Sequence, residues 1–268
     1  MSKTVLITGA SSGIGLEFAR IFAREGYHLV LVARREERLI QLKKELEEKY
    51  SIQVSYFICD LTVFDAANRI YQFLQYKKAQ IDVLVNNAGF GLGGEFSGAD
   101  LVRVTEMVQV NVTTLMRLTR LLLPDMIERR EGKILNVASM AGFLPGPLSS
   151  VYYATKSFVI SFSEAIAYEL KDKNVQVTVL CPGPVKTEFQ NIAYDEDISL
   201  TNQRRIPTAQ ETAEYGYQAL MAGKIIAIPN LYNRFILFLI RFLPRSMIVR
   251  LVYSKQATHR ATYIKESA

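Results

Sequence analysis

The chain has 268 residues, 49% hydrophobic and 22% charged, an ordinary balance for a folded globular protein and enough for one large core in a single domain over 1–268. Its two cysteines, Cys59 and Cys181, exclude a disulfide framework and fit a reducing compartment, and no apolar run reaches the length of a membrane span. The net charge of +6 resides in the tail: from Lys224 onward, Lys224, Arg234, Arg241, Arg245, Arg250, Lys255, Arg260 and Lys265 stand against one acid, Glu266, a net of +7.

Met1-Ser-Lys-Thr-Val-Leu-Ile-Thr8 runs straight into a strand, Thr4 to Thr8, without the longer apolar stretch and cleavage site of a secretory signal, so a cytoplasmic protein is expected. The turn Thr8-Gly-Ala-Ser-Ser-Gly-Ile-Gly15 follows, then a helix from Leu16 to Glu25 stopped by Gly26. Glycines at such a junction let the backbone turn tightly and approach a pyrophosphate, whose charge suits the free amides at the helix start. Gly9, Ser11, Ser12, Gly13, Ile14 and Gly15 are therefore candidate cofactor contacts.

The second strand, His28 to Ala33, ends in Arg34-Arg35. An acid at this point would serve the ribose hydroxyls of NAD; Ala33 cannot, whereas the planar donor fork of Arg34 could grip a 2′-phosphate, which favours NADP(H). The alternative is that the arginines only begin a solvated, heavily charged helix from Glu36 to Tyr50. Arg35 is the more ambiguous of the two.

Gln53 to Ile58 reads as a third strand, with Cys59-Asp60-Leu61 just beyond it; by itself Asp60 could cap the next helix. Asp82 to Asn86 is the fourth strand, leading into Asn87-Ala-Gly89, where small residues permit close backbone approach to a cofactor and asparagines can tie strands together. A helical region spans about Asp100 to Arg130. In its middle, Val110-Asn-Val-Thr-Thr114 holds poor helix formers that favour a local distortion. On its own chemistry Asn111 reads as a mid-helix amide pointing at solvent.

Lys133 to Ser139 reads as a buried strand with Ser139 at its carboxyl end, the end that faces the ligand crevice in open parallel sheets. After a Gly-Pro-rich loop, Tyr152 and Lys156 stand four apart on one face of a helix whose apolar stripe is Phe158, Phe162, Ile166 and Leu170. A free phenol titrates near pH 10, so proton transfer at neutral pH needs a shift of roughly 3 units, about 4 kcal/mol. The Lys156 charge and the helix N-terminus both act in that direction. The Ser139 hydroxyl could bind the same substrate oxygen. This spacing also recurs by chance in helices, and Tyr153, three before Lys156, competes for the acid role.

Val175 to Leu180 is a strand followed by Cys181-Pro-Gly-Pro-Val-Lys-Thr187, whose prolines also simply stop it. Residues 188–207 are polar and aperiodic, a substrate-covering loop. Thr208-Ala-Gln-Glu211 reads as a capping box opening a helix that ends near Gly223, with a last strand from Ile225 to Ile228. Within 229–268, Leu231 to Leu243 is strongly apolar but too short to span a bilayer, with Arg234 and Arg241 nearly on one face. It reads as a subunit contact, a substrate lid or an amphipathic helix on an anionic membrane; packing against the protein or a partner subunit is the favoured expectation. His28 and His259 are too isolated for a metal site.

The series Ser139, Tyr152 thirteen residues later and Lys156 four after that, together with Thr8–Gly15 and Asn86-Asn-Ala-Gly89, resembles the short-chain dehydrogenase/reductase family in its compact, single-domain, carbonyl-reducing branch. The matching motifs cover about residues 3 to 190, and the final third matches only in layout. The resemblance implies a three-layer α/β/α Rossmann-like sandwich around a doubly wound parallel sheet of order 3-2-1-4-5-6-7. It implies that Asp60 and Leu61 lie along an adenine, that Asn87, Ala88 and Gly89 line the cofactor, and that Pro182, Gly183, Val185 and Thr187 receive the nicotinamide carboxamide. Tyr152 would protonate the substrate oxygen and, with Lys156, contact the cofactor; Ser139 would bind that oxygen, Lys156 tune Tyr152 and hold the nicotinamide ribose, and Asn111 hold a water that relays protons to Lys156.

A homodimer or homotetramer acting on a small carbonyl or alcohol is expected, with no nucleic-acid partner. Phe90, Leu92, Phe143, Leu144 and Phe189 are candidate pocket residues that make an apolar carbonyl plausible, though each could be ordinary packing. Two rivals stand beside this reading. One is a membrane-associated lipid or ketoacyl reductase, the other a non-catalytic NADP(H)-sensing protein.

Overall fold

Short runs rich in Val, Ile and Leu, buried on both faces except at the edge strand Val54–Ile58, make one seven-stranded parallel sheet of order 3-2-1-4-5-6-7, numbered along the chain. The computed structural model describes residues 3–188 and 206–266; most of the expected substrate loop, Phe189 included, and the side chain of His259 lie outside the described residues. In chain order the first half comprises β1 (Thr4–Thr8), α1 (Gly13–Arg24), β2 (His28–Ala33), α2 (Glu36–Lys49), β3 (Val54–Ile58), α3 (Ala66–Lys77) and β4 (Val83–Asn86). The second half comprises α4 (Leu101–Val108), a π-helical turn (Gln109–Thr114), α5 (Leu115–Glu128), β5 (Gly132–Val137), α6 (Ser150–Glu169) and β6 (Val175–Leu180). It closes with α7 (Ala209–Met221), β7 (Ile226–Ala227), α8 (Leu231–Ile240) and α9 (Arg245–Glu266).

Two apolar layers sandwich the sheet. Phe18 and Phe22 of α1, Leu39 and Leu46 of α2 and Leu220 of α7 fill one side; Ile70 and Leu74 of α3, Leu118 and Leu122 of α5 and Ile166 of α6 fill the other. β1 pairs in parallel with both β2 and β4, so the chain reverses its direction of winding between β1 and β4 and opens a crevice at their carboxyl ends.

A buried polar chain ties the two halves of that crevice together. Asn86 of β4 donates to Thr119 Oγ1 at 3.0 Å and to Asn136 Oδ1 of β5 at 2.9 Å, and Asn136 donates to Ser163 Oγ of α6 at 2.9 Å. Each of these groups would be costly to bury alone, so the chain fixes the helix that carries Tyr152 against the sheet.

The expected distortion in the long helical region is the π-helical turn between α4 and α5, where the β-branched run gives up its ordinary ladder. One expectation changes. The α6 stripe meets the core at Phe162, Ile166 and Leu170, while Phe158 stacks on Phe162 at 5.7 Å and stays partly exposed. The apolar tail is two helices, because Pro244 cannot continue α8 and instead precedes the first turn of α9.

Candidate active site

The turn after β1 is shaped by contacts that a side chain would destroy. Gly9 and Gly13 hold positive φ of 67° and 56°. A Cβ on Gly15 would sit 2.4 Å from both Gly9 O and Asn87 Nδ2. Asn87 Nδ2 donates to Thr8 O at 3.0 Å and Gly9 O at 3.2 Å, while the Thr8 hydroxyl accepts from the amides of Asn87 and Ala88, each at 3.1 Å. The asparagine thus locks the two strand ends that flank the crevice. The N-terminus of α1 has no side-chain cap bond and no acid in its first turn, which leaves its amides for an anion. These features fit the pyrophosphate of a dinucleotide.

Arg34 is exposed and makes no hydrogen bond or ion pair among the described residues. Arg35 has another task. Its Nε and Nη2 donate to Ser11 Oγ at 3.2 and 3.1 Å, Nη2 also donates to Ser12 Oγ at 2.6 Å, and Nη1 reaches Glu188 at 2.8 Å. Hydrogen bonds from Arg35 and then Arg38 hold the Glu188 carboxyl below its ordinary range. The sequence showed two adjacent arginines but not which would turn inward.

Asp60 does not cap α3. Its Oδ1 accepts from the Thr62 amide at 3.0 Å and hydroxyl at 2.9 Å, and α3 begins only after Asp65. Leu61 is buried, and its carbonyl accepts from Thr114 in the π-helical turn at 3.0 Å.

Across the crevice, Ser139 follows β5 and accepts from the Ala141 amide at 3.1 Å, while its hydroxyl lies 3.4 Å from Pro182 O. Tyr152 stands in the first turn of α6, with Lys156 one turn on. The Lys156 Nζ donates to Val137 O at 2.9 Å and lies 5.8 Å from the centroid of the Tyr152 ring. Burial lowers the lysine to about 8, with neighbouring Cys181 acting the other way. Burial pushes the Cys181 thiol up, so it is neutral and structural.

Asn111 is buried rather than solvent-facing. Its amide forms a reciprocal pair with Phe90, accepting from Phe90 N at 3.1 Å and donating to Phe90 O at 2.9 Å, and donates to Thr155 Oγ1 at 3.1 Å. Thr155 in turn donates to Tyr152 O at 2.7 Å. Sequence reading missed Thr155; only its place between Tyr152 and Lys156 hinted at it. A Cβ on Gly89 would lie 3.0 Å from Asn111 Oδ1 and 3.4 Å from Lys156 Nζ, so these three residues meet.

Beyond β6, Val185 is buried, Pro182 O accepts from Met140 N at 2.8 Å, and Thr187 packs against the Gly13 position. This brings the Pro182–Thr187 loop over both the glycine turn and Ser139. Of the candidate pocket residues, Phe90 packs on the core with the Arg103 guanidinium over its ring, and Phe143 packs against the cluster around Val159 and Ile160; Leu92 and Leu144 are half-buried. Among the described residues no group of His, Cys, Asp and Glu could hold a metal ion.

A doubly wound sheet with a dinucleotide cradle at one side of its crevice and a serine, a phenol and a buried lysine at the other defines an oxidoreductase of the nicotinamide-dependent class. Comparison with known proteins agrees. The short chain dehydrogenase family matches residues 3–197. The chain is 30% identical over 267 residues to a very-long-chain 3-oxoacyl-CoA reductase of Anas platyrhynchos, covering 97% of this chain and 82% of that one. It is 36% identical over 197 residues to an NADP-dependent 3-hydroxy acid dehydrogenase of Schizosaccharomyces pombe, covering 73% and 76%. Among solved structures, a short-chain dehydrogenase from Sphingobium yanoikuyae in complex with NADPH superposes with a TM-score of 0.80 at 30% identity over 91% of this chain and 97% of that one. The chain belongs to the short-chain dehydrogenase/reductase family, and it is an oxidoreductase of carbonyl and alcohol groups.

Proposed function

We propose that this protein is an NADP(H)-dependent reductase of an apolar carbonyl, of the 3-oxoacyl kind, with Tyr152 as its acid. The observation that carries the reading is the buried Lys156, anchored on Val137 O at the end of β5 and held one helical turn from Tyr152. When bound, the nicotinamide supplies hydride to the carbonyl carbon. Tyr152 donates its phenolic proton to the carbonyl oxygen while the Ser139 hydroxyl hydrogen-bonds the same oxygen. Lys156, with its charge close to the phenol, favours the phenolate that remains and holds the nicotinamide ribose. The Asn111–Thr155–Tyr152 series fixes the first turn of α6, and Asn111 supports the relay that returns a proton toward Lys156.

Arg34 grips the 2′-phosphate, Gly9 to Gly15 cradle the pyrophosphate, Asp60 and Leu61 flank the adenine, and Asn87 to Gly89 with Pro182, Gly183, Val185 and Thr187 line the nicotinamide half. Relatives that reduce 3-oxoacyl-CoA or oxidise 3-hydroxy acids with NADP support this substrate class and cofactor. Buried, unpaired Cys59 and Cys181 support a reducing, cytoplasmic setting. Partly exposed Met116 and Phe158 on α5 and α6 support a homo-oligomer paired through that side.

The test is a direct assay of purified protein with NADPH and 3-oxoacyl thioesters of increasing chain length, followed by nicotinamide oxidation. Turnover that rises with chain length supports the reading. Turnover of short polar carbonyls alone would remove the apolar substrate, and none with any carbonyl would remove the reductase.

A further inference from the structure

The tail helices present an apolar surface that the rest of the described protein does not cover. On α8, Asn233, Ile236, Leu237 and Ile240 face the body, and only Leu237 is fully buried. Leu231, Phe235, Phe238, Leu239 and Phe242, spaced i, i+4, i+7, i+8 and i+11, form the opposite stripe. Leu231 is 77% exposed, Phe242 71% and Phe235 58%. α9 adds exposed Met247, Leu251 and Tyr253. A contiguous exposed apolar patch of this kind marks a surface that meets something.

The charges identify what it meets. Arg234 and Arg241 lie seven apart along one flank of the α8 stripe, and Arg245, Arg250 and Lys255 are exposed on α9. Between Lys224 and Lys265 the sequence contains no Asp or Glu. A second copy seated on this face by two-fold symmetry would set arginine against arginine with no carboxylate from the segment to offset them. An anionic bilayer offers both partners at once: acyl chains for the stripe and headgroup phosphates for the arginines. No described helix is long and apolar enough to cross a membrane, so the helices would lie on the surface.

We infer that α8 and α9 dock this protein on an anionic membrane surface. The helices that carry the docking face pack beside the site through their inner sides. A Cβ on Gly183, in the loop after β6, would lie 3.1 Å from Asn233 Nδ2 of α8, and Gln256 of α9 hydrogen-bonds Tyr153 of α6. Docking through these helices would hold the β6 loop and α6 close to the bilayer, a source of apolar carbonyl substrate. The surface stands independently of the reductase reading, since its test does not require turnover.

The experiment is flotation of the full chain with phosphatidylcholine vesicles, with and without phosphatidylserine, at physiological salt. It uses wild type, the charge pair Arg241→Gln/Arg245→Gln and the apolar pair Phe238→Ser/Phe242→Ser. Thermal melts and NADPH binding verify that each variant is folded. Wild type should float with anionic vesicles and not with neutral ones. The charge pair should lower the partition coefficient about 25-fold, each arginine near an anionic surface being worth about fivefold, and the apolar pair should abolish flotation. Absence of flotation by folded wild type, or flotation indifferent to both pairs, overturns the inference. A dimer in sedimentation that the apolar pair dissociates, without flotation by wild type, would also overturn it and assign the face to a second copy.

Discussion

The Gln256 Nε2 of α9 donates a hydrogen bond of 2.9 Å to the Tyr153 phenol, which gives Tyr153 a contact with the tail beside the adjacent Tyr152. Tyr153 also packs its ring over Gly146 and meets Tyr152 edge to face at 6.1 Å. It is tied to the tail, whereas the Lys156 Nζ lies 5.8 Å from the centroid of the Tyr152 ring. Tyr153→Phe should keep most turnover and lose the hydrogen bond from Gln256 of α9. Tyr152→Phe should cost about 10²- to 10⁴-fold in kcat, the usual worth of a positioned acid, with NADPH affinity little changed. Steady-state rates for both variants, beside nucleotide titrations, check the assignment; equal losses would transfer the role.

Lys156 makes stability depend on pH in a direction that can be worked out. Its folded value, lowered to about 8 by burial, lies below the ordinary 10.5. Below pH 8 both states are protonated and the cost of burying the charge is present in full. Between 8 and 10.5 the unfolded chain holds the proton that the folded one has released, so this contribution to stability rises with pH. Above 10.5 both are neutral. The apoprotein should therefore gain up to about 3 kcal/mol from this residue across that window, at about 1.4 kcal/mol per pH unit. Denaturant midpoints of wild type and Lys156→Met, compared as a difference at pH 7.5 and pH 10, read it out. A difference independent of pH would contradict the burial.

Arg34→Ala should weaken NADPH binding by about ten- to a hundredfold, the worth of one or two hydrogen bonds between charged groups, while leaving NADH unchanged. Arg35→Ala should weaken both nucleotides, because it frees Ser11 and Ser12 of the shared turn rather than a phosphate-specific contact. Parallel fluorescence titrations distinguish the two. A discrimination lost with Arg35 and kept without Arg34 would exchange their roles.

Gly142 lies under the catalytic helix, where an added Cβ would be 2.6 Å from both Lys156 O and Ile160 Cδ1. Backbone cannot yield as a side chain can. Gly142→Ala should cost about 1–3 kcal/mol of stability and also lower kcat by displacing Tyr152 and Lys156 together. Melting temperature and kcat measured on one preparation should fall in concert; a large loss of kcat with unchanged stability would point to a substrate contact instead.

Much of this molecule was written locally. Alternation of apolar runs with capped or glycine-stopped helices is a short-range property, so β2 and β6 begin and end where their residues say they should. The capping box at Thr208 and Glu211 and the distortion around Asn111 are equally local. The spacing of Ser139, Tyr152 and Lys156 survives because one strand end and one helix turn carry all three.

Other features depend on which atoms meet across long stretches of chain, and composition is blind to that. Arg35 turning onto Ser11 and Ser12, Asn111 burying its amide against Phe90 and Thr155, and Gln256 claiming Tyr153 from over a hundred residues away were each decided by packing. The tail shows the division most plainly. Its excess of arginines and aromatics is a fact of sequence, but whether that stripe faces the core or the solvent depends on how α8 rolls against the Gly183 loop. The roll buries Leu237 and leaves Phe235, Phe238 and Phe242 outside.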